Sequence, residues 1–173
     1  MANEGMTKYQ VAYLGPLGAS EGGVSGKIKL EISLKEHVIY QSEERPYLEK
    51  IYPDIGGFFI HCYSLREILV EKMRATMQRG KSRDYYDLWQ ITARKELEGA
   101  NNEYDIGELR RHLVTKCKAT KAVYEPELMF RKDRLAEAKD YWEKDLGKLA
   151  KNLPEFEKVV AELQKTFFGE SEI

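Results

Sequence analysis

The feature that most constrains this chain is a single change of hydrophobic period near residue 64. Upstream, Lys27 to Leu34 alternates without a break. Ile28, Leu30, Ile32 and Leu34 fall on one side and Lys27, Lys29, Glu31 and Ser33 on the other. A period of two belongs to a strand, and one apolar side predicts that it is half-buried in a sheet. Downstream, apolar residues recur at helical spacing, beginning at Ser64-Leu65-Arg66-Glu67. That pattern is a capping box, in which the serine hydroxyl accepts from the third helical amide and the glutamate reaches back to the cap. A chain that runs strands first and helices afterwards is α+β, here a small mostly antiparallel sheet followed by a helical part. The expected division is 1–63, β-rich, and 64–173, helical.

Tyr9 to Leu14 is a second short run of strand formers, and the glycine-dense stretch from Gly15 to Gly26, with Gly22-Gly23, reads as a hairpin loop. Further strands are expected at His37 to Tyr40 and Phe58 to Tyr63, separated by a polar stretch with Pro46, Pro53 and Gly56-Gly57. The first helix should run to about Gln78 and stop before Arg79-Gly80, and Ser82 is placed to cap a second helix carrying Tyr85, Leu88, Trp89 and Thr92 on one side. After a turn-rich break at Asn101 to Asp105, helical periodicity resumes from Ile106 to Thr120. A charged segment follows from Pro126 to about Leu149, and a last helix from Pro154 to Phe168 has its proline in the first turn.

Composition narrows the function classes. Among 173 residues, 28 Lys and Arg stand against 29 Asp and Glu, a net charge of -1, so no global field directs the chain to nucleic acid or an anionic membrane. Cys62 and Cys117 have neither metal-ligand spacing nor the density of a disulfide framework, which points to a reducing cytoplasm. Apolar runs are short and the start, MANEGMTKYQ, has no signal-peptide core, so no membrane association is expected.

Two places could carry chemistry. Lys72 lies four residues after Ile68 and seven after Leu65, on the apolar stripe of its helix. It is either a snorkelling stem or a cation held at a site for phosphate. Arg83-Asp84-Tyr85-Tyr86-Asp87-Leu88-Trp89 sets two carboxylates three apart at a helix start, with Arg83 four before Asp87. The acids suit the helix dipole and Arg83 with Asp87 suits an ordinary surface pair. Neither explains why Arg74, Arg79, Lys81 and Arg83 crowd the same junction.

Residues 64–75, Arg79 and residues 83–89 together resemble the signature of the AbiEii/AbiGii-type toxin nucleotidyltransferases of the DNA polymerase β-like superfamily: a helix ending in Glu-Lys, a spacer with arginine, and an Arg-Asp-x-x-Asp-Leu helix. Lys29 to Ser33 is similar to the family's strand bearing a third active-site carboxylate. The resemblance implies that Lys72 and Arg83 bind nucleotide, that Asp84 and Asp87 shape the catalytic site or position an attacking group, and that Glu31 is the catalytic carboxylate facing metal. It also implies Mg2+ and an NTP as cofactors in the complete enzyme, RNA as acceptor, and an antitoxin or phage-defence partner.

Two-metal nucleotidyl transfer needs a closely spaced carboxylate pair as well. No aspartate precedes Asp54, and Glu4 and Glu21 are the only acids before Glu31. The expectation is therefore a carboxy-terminal portion of such an enzyme or a shortened relative, its β-rich part a remnant of the nucleotidyltransferase domain and the isolated chain inactive. The alternative is a non-catalytic RNA- or protein-binding module, in which Tyr85, Tyr86 and Trp89 interleave with the basic cluster as a stacking surface unless they are simply core. A purely structural helical protein leaves the Lys72 and Arg83-Asp84-Asp87 constellation without an account.

Overall fold

The computed structural model describes residues 6–13, 26–33, 36–47, 56–93 and 105–169. The architecture is α+β, two small antiparallel sheets followed by five helices. Strands β1 (Met6–Tyr13) and β2 (Gly26–Ser33) form one two-stranded sheet; β3 (Glu43–Tyr47) and β4 (Phe58–Cys62) form another. The helices are α1 (Leu65–Gln78), α2 (Ser82–Ala93), α3 (Ile106–Thr120), α4 (Lys132–Leu146) and α5 (Phe156–Phe168), with a 3-10 turn at Pro126–Phe130 before α4. Two compact units, Met1–His37 and Val38–Ile173, divide the chain, so β3 and β4 fall with the helices although the hydrophobic period changes only at residue 64.

In the first unit the alternation of β2 is real but its burial is not. Ile28, Leu30 and Ile32 are about half exposed, because among the described residues of this unit no second layer packs over the two-stranded sheet. The glycine loop expected after residue 14 lies outside the described residues, as does most of the Asn101 to Asp105 break.

At the sequence boundary between the units, His37 to Tyr40 is not a strand. The backbone amides of Ile39 and Tyr40 both donate to Glu67 Oε2, at 3.1 and 3.0 Å, so a side chain takes the hydrogen bonds that a ladder would need. The strand forms three residues later and includes Pro46, which pairs with Phe59. A two-stranded sheet leaves one side of each strand unpaired, where a missing N–H costs little.

Local signals set the helices. Ser64 Oγ accepts from Glu67 N at 3.1 Å, but Glu67 does not reach back to the cap, so only half of the capping box forms. Between α1 and α2, Gly80 takes a φ of +54°. A Cβ there would also stand 3.2 Å from the Tyr85 hydroxyl, so the turn needs glycine twice over. Ser82 is the first residue of α2 rather than its cap, and its hydroxyl donates to Asp145 on α4 at 2.9 Å. Pro154 precedes α5, whose cap position is Glu155, and its carbonyl accepts from Trp142 Nε1 at 2.9 Å.

With the three-residue turn the second helix folds back beside the first, and α2 becomes central, touching α1, α4 and α5. Leu69, Val70, Met73 and Met77 of α1 meet Tyr85 and Leu88 of α2 in the core, with α3 closing the far side of α1. Phe156 of α5 sets its ring edge-on to Tyr85 at 5.8 Å and to Trp142 at 5.1 Å. Burying such rings contributes about 2 kcal/mol apiece and holds α2 at a defined rotation.

Candidate functional site

Helices α1 and α2 carry four of the five residues singled out above. Lys72 leaves the apolar stripe of α1 toward α2, and its Nζ lies 2.5 Å from Asp87 Oδ2. Its side chain is 27% exposed and that of Asp87 39%, so the ammonium neither escapes to bulk water nor is sealed off. A carboxylate from the neighbouring helix replaces part of its hydration.

Asp84 is different. It is fully buried and is gripped by Arg79, whose Nε and Nη2 donate at 2.8 and 2.9 Å, and by the Lys81 amide at 3.3 Å. A bidentate guanidinium and a backbone donor occupy both oxygens, which ties the end of α1 to the start of α2. Arg83 lies on the exposed side of α2 and makes no ion pair among the described residues. The junction therefore brings together Lys72 with Asp87 and Arg79 with Asp84 as two separate pairs, and it turns Arg83 outward. Tyr85 is fully buried, and its hydroxyl donates to the Met129 carbonyl at 2.6 Å, which removes it from any stacking surface. Trp89 is partly exposed, with its N–H on Glu162 at 2.5 Å.

Glu31 belongs to the amino-terminal unit. There it faces Lys8 across the β1–β2 ladder at 2.8 Å, both side chains more than half exposed. The Lys8 hydrogen bond and charge hold its carboxyl below the usual range.

A second cluster of buried charge, centred on Lys116, is one that sequence reasoning missed. On the other face of α1, Glu67, Glu71 and Arg74 follow at helical spacing toward α3. Lys116 of α3, 2% exposed, lies 2.7 Å from Glu67 Oε1 and 3.1 Å from Glu71 Oε2, while Arg74 forks onto Glu71. Burial raises the Glu71 carboxyl, but Arg74 and then Lys116 outweigh it and leave it below the usual carboxylate range. Next to this cluster the Tyr40 hydroxyl donates to Glu108 at 3.2 Å and stands 2.5 Å from His112 Nδ1. A phenol has one proton, so with it on Glu108 the imidazole must be the donor on that side. The signal for Lys116 was the one that drew attention to Lys72: it lies three residues after Leu113 and seven after Leu109 on an apolar stripe.

The described residues do not by themselves supply the cluster of carboxylates that a magnesium pair needs. Each candidate carboxylate already has a cationic partner, and no group of three His, Cys, Asp or Glu side chains with metal-binding geometry occurs among them. No described helix is long and apolar enough to cross a membrane.

The two helices that carry the sequence resemblance to a nucleotidyl transferase, one with Glu71-Lys72 and one with Arg-Asp-x-x-Asp-Leu, pack against each other. Comparison with known families agrees: residues 3–162 match the nucleotidyl transferase AbiEii toxins of type IV toxin–antitoxin systems, and the chain belongs to that family. No curated protein and no solved structure is similar to the chain.

Proposed function

We propose that this chain is the carboxy-terminal portion of a nucleotidyl transferase that moves NMP from an NTP to an acceptor such as RNA, in a cytoplasmic toxin–antitoxin or phage-defence system. The observation that carries the reading is the Lys72–Asp87 pair. A partly exposed ammonium held by a single carboxylate keeps its charge and its geometry, and a triphosphate of higher charge can take the place of that carboxylate. Lys72 then grips the nucleotide phosphates, Asp87 is freed to position the attacking group, and Arg83 supplies a second cation from the open side of α2. Asp84 shapes the site indirectly by fixing the α1–α2 turn through Arg79.

We assign Glu31 as the third metal-facing carboxylate because Lys29 to Ser33 resembles the family's carboxylate-bearing strand. Magnesium ions in the complete enzyme would neutralise charge on the transferring phosphate. The spaced carboxylate pair such ions need is not found before Asp54, and the chain by itself is inactive in this reading. An antitoxin is the partner that the family implies.

Titration calorimetry with GTP and with ATP tests the reading. The wild-type chain should bind one of them, and Lys72→Met should weaken binding at least tenfold, about 1.4 kcal/mol, while leaving the thermal midpoint nearly unchanged. Equal affinity in both proteins would remove Lys72 from the site. Magnesium-dependent labelling of RNA by the pure chain, abolished by Glu31→Gln, would contradict its assignment as inactive.

A further inference from the structure

The register of the β1–β2 sheet sorts its residues cleanly. Tyr9 faces Leu30, Val11 faces Ile28, and Tyr13 faces Gly26, while Lys8 faces Glu31 and Gln10 faces Lys29 on the opposite side. The apolar side is left open. Tyr9 is 54% exposed, Val11 47%, Tyr13 49%, Ile28 52%, Leu30 45% and Ile32 47%. Among the described residues of its own unit, nothing covers it.

We propose that this face is a self-complementary interface, filled by the same face of a second copy of the chain. A two-stranded hairpin is marginal in water unless a further layer packs on it, so an open apolar side of this size calls for a cover. The two strands differ in a way that suits a copy of themselves: β1 presents the rings of Tyr9 and Tyr13, and β2 presents the branched chains of Ile28, Leu30 and Ile32. A two-fold axis along the strand direction lays each β1 row on the other copy's β2 row, so flat rings meet branched side chains instead of one another.

Six large apolar residues about half exposed offer about 500 Å² per copy, so their complete burial in the pair reaches about 1,000 Å², the lower bound for a specific interface. The other side carries Lys8, Lys27 and Lys29, so only one side is adhesive and association closes at two copies. Glu31 stays on the uncovered side, so this inference is independent of the proposed function.

Analytical ultracentrifugation of the full chain over about 1 to 100 µM tests it. The mass should rise from 20.1 kDa toward twice that value. Leu30→Lys and Val11→Lys should each return the monomer. Ile28→Thr with Leu30→Thr keeps good strand formers, so the strand survives while the apolar area shrinks, and it should raise the dimer dissociation constant at least tenfold. Lys29→Ala, on the opposite side, should leave the dimer intact. A monomer at every concentration would mean that something other than a second copy covers the face, and a dimer that survives Leu30→Lys would place the contact elsewhere. Either result overturns the proposal.

Discussion

Lys116 of α3 and Glu67 of α1 face each other at 2.7 Å with 2% and 1% of their side chains exposed. Glu67 spends its other oxygen on the amides of Ile39 and Tyr40, and Glu71 meets the same ammonium, so one lysine compensates two carboxylates at the seam of two helices. Arg74, forked onto Glu71, restores the balance.

Removing the lysine therefore leaves Glu67 buried with a negative charge and only backbone donors. Lys116→Met should destabilise the helical unit by about 3–5 kcal/mol in urea unfolding. The double variant Lys116→Met with Glu67→Gln should recover part of that loss, because the surviving amide is neutral and still accepts from Ile39 and Tyr40. A double variant as unstable as the single would contradict the electrostatic account.

The pH dependence has a determined sign at both ends. For Lys116, burial lowers the ammonium, but Glu67 and then Glu71 outweigh it and raise it above 10.5. Burial pushes the Tyr40 and Tyr85 phenols up to about 12. All three bind protons more tightly when folded, so their contribution is complete below pH 10 and is lost as pH rises toward 12. Glu71 is depressed below 4.5, so its contribution is complete above that value and is lost as pH falls through the folded one. On these groups' account, thermal midpoints should fall toward both ends of the pH range. In an absorbance titration, Tyr40 and Tyr85 should ionise late in the folded chain and normally in denaturant.

At the α1–α2 turn, Asp84 is fully buried while Arg79 is half exposed. Arg79→Ala strands the carboxylate with one backbone donor, and the expected cost is about 3 kcal/mol. Asp84→Asn, which keeps an acceptor for both partners, should cost less. Chemical denaturation of the two variants decides the order, and the reverse order would argue against the pair as the tie.

Arg134 of α4 donates to the Met77 carbonyl at the end of α1. Such a charged donor on a helix C-terminus contributes about 1.5–3 kcal/mol. Arg134→Ala should lower stability by that amount and speed amide exchange in the last turn of α1, whereas exchange unchanged there would show that water serves the carbonyl equally well.

Much of the fold is legible in the residues because the information is local. The alternation of Lys27 to Leu34 makes β2, Ser64 makes the start of α1, and Ile106 to Thr120 is a helix to the residue. His37 to Tyr40 misled because its apolar character promised a strand while its amides were claimed from 27 and 28 positions away by Glu67. Ser82 misled for a similar reason, since Asp145 takes its hydroxyl across the bundle.

The sequence alone determined that Lys72 sits on an apolar stripe and that Asp84 and Asp87 share the start of the next helix, since a period of 3.6 is written into neighbouring residues. Only the tertiary structure decided that Asp87 and not Asp84 meets Lys72, that Arg79 takes Asp84, that Arg83 turns outward, and that Lys116 enters between Glu67 and Glu71. Which charge meets which depends on the rotation of each helix against the next. That rotation is set by rings and aliphatic chains far apart in the chain, such as Tyr85 on Phe156, and no local spacing encodes it.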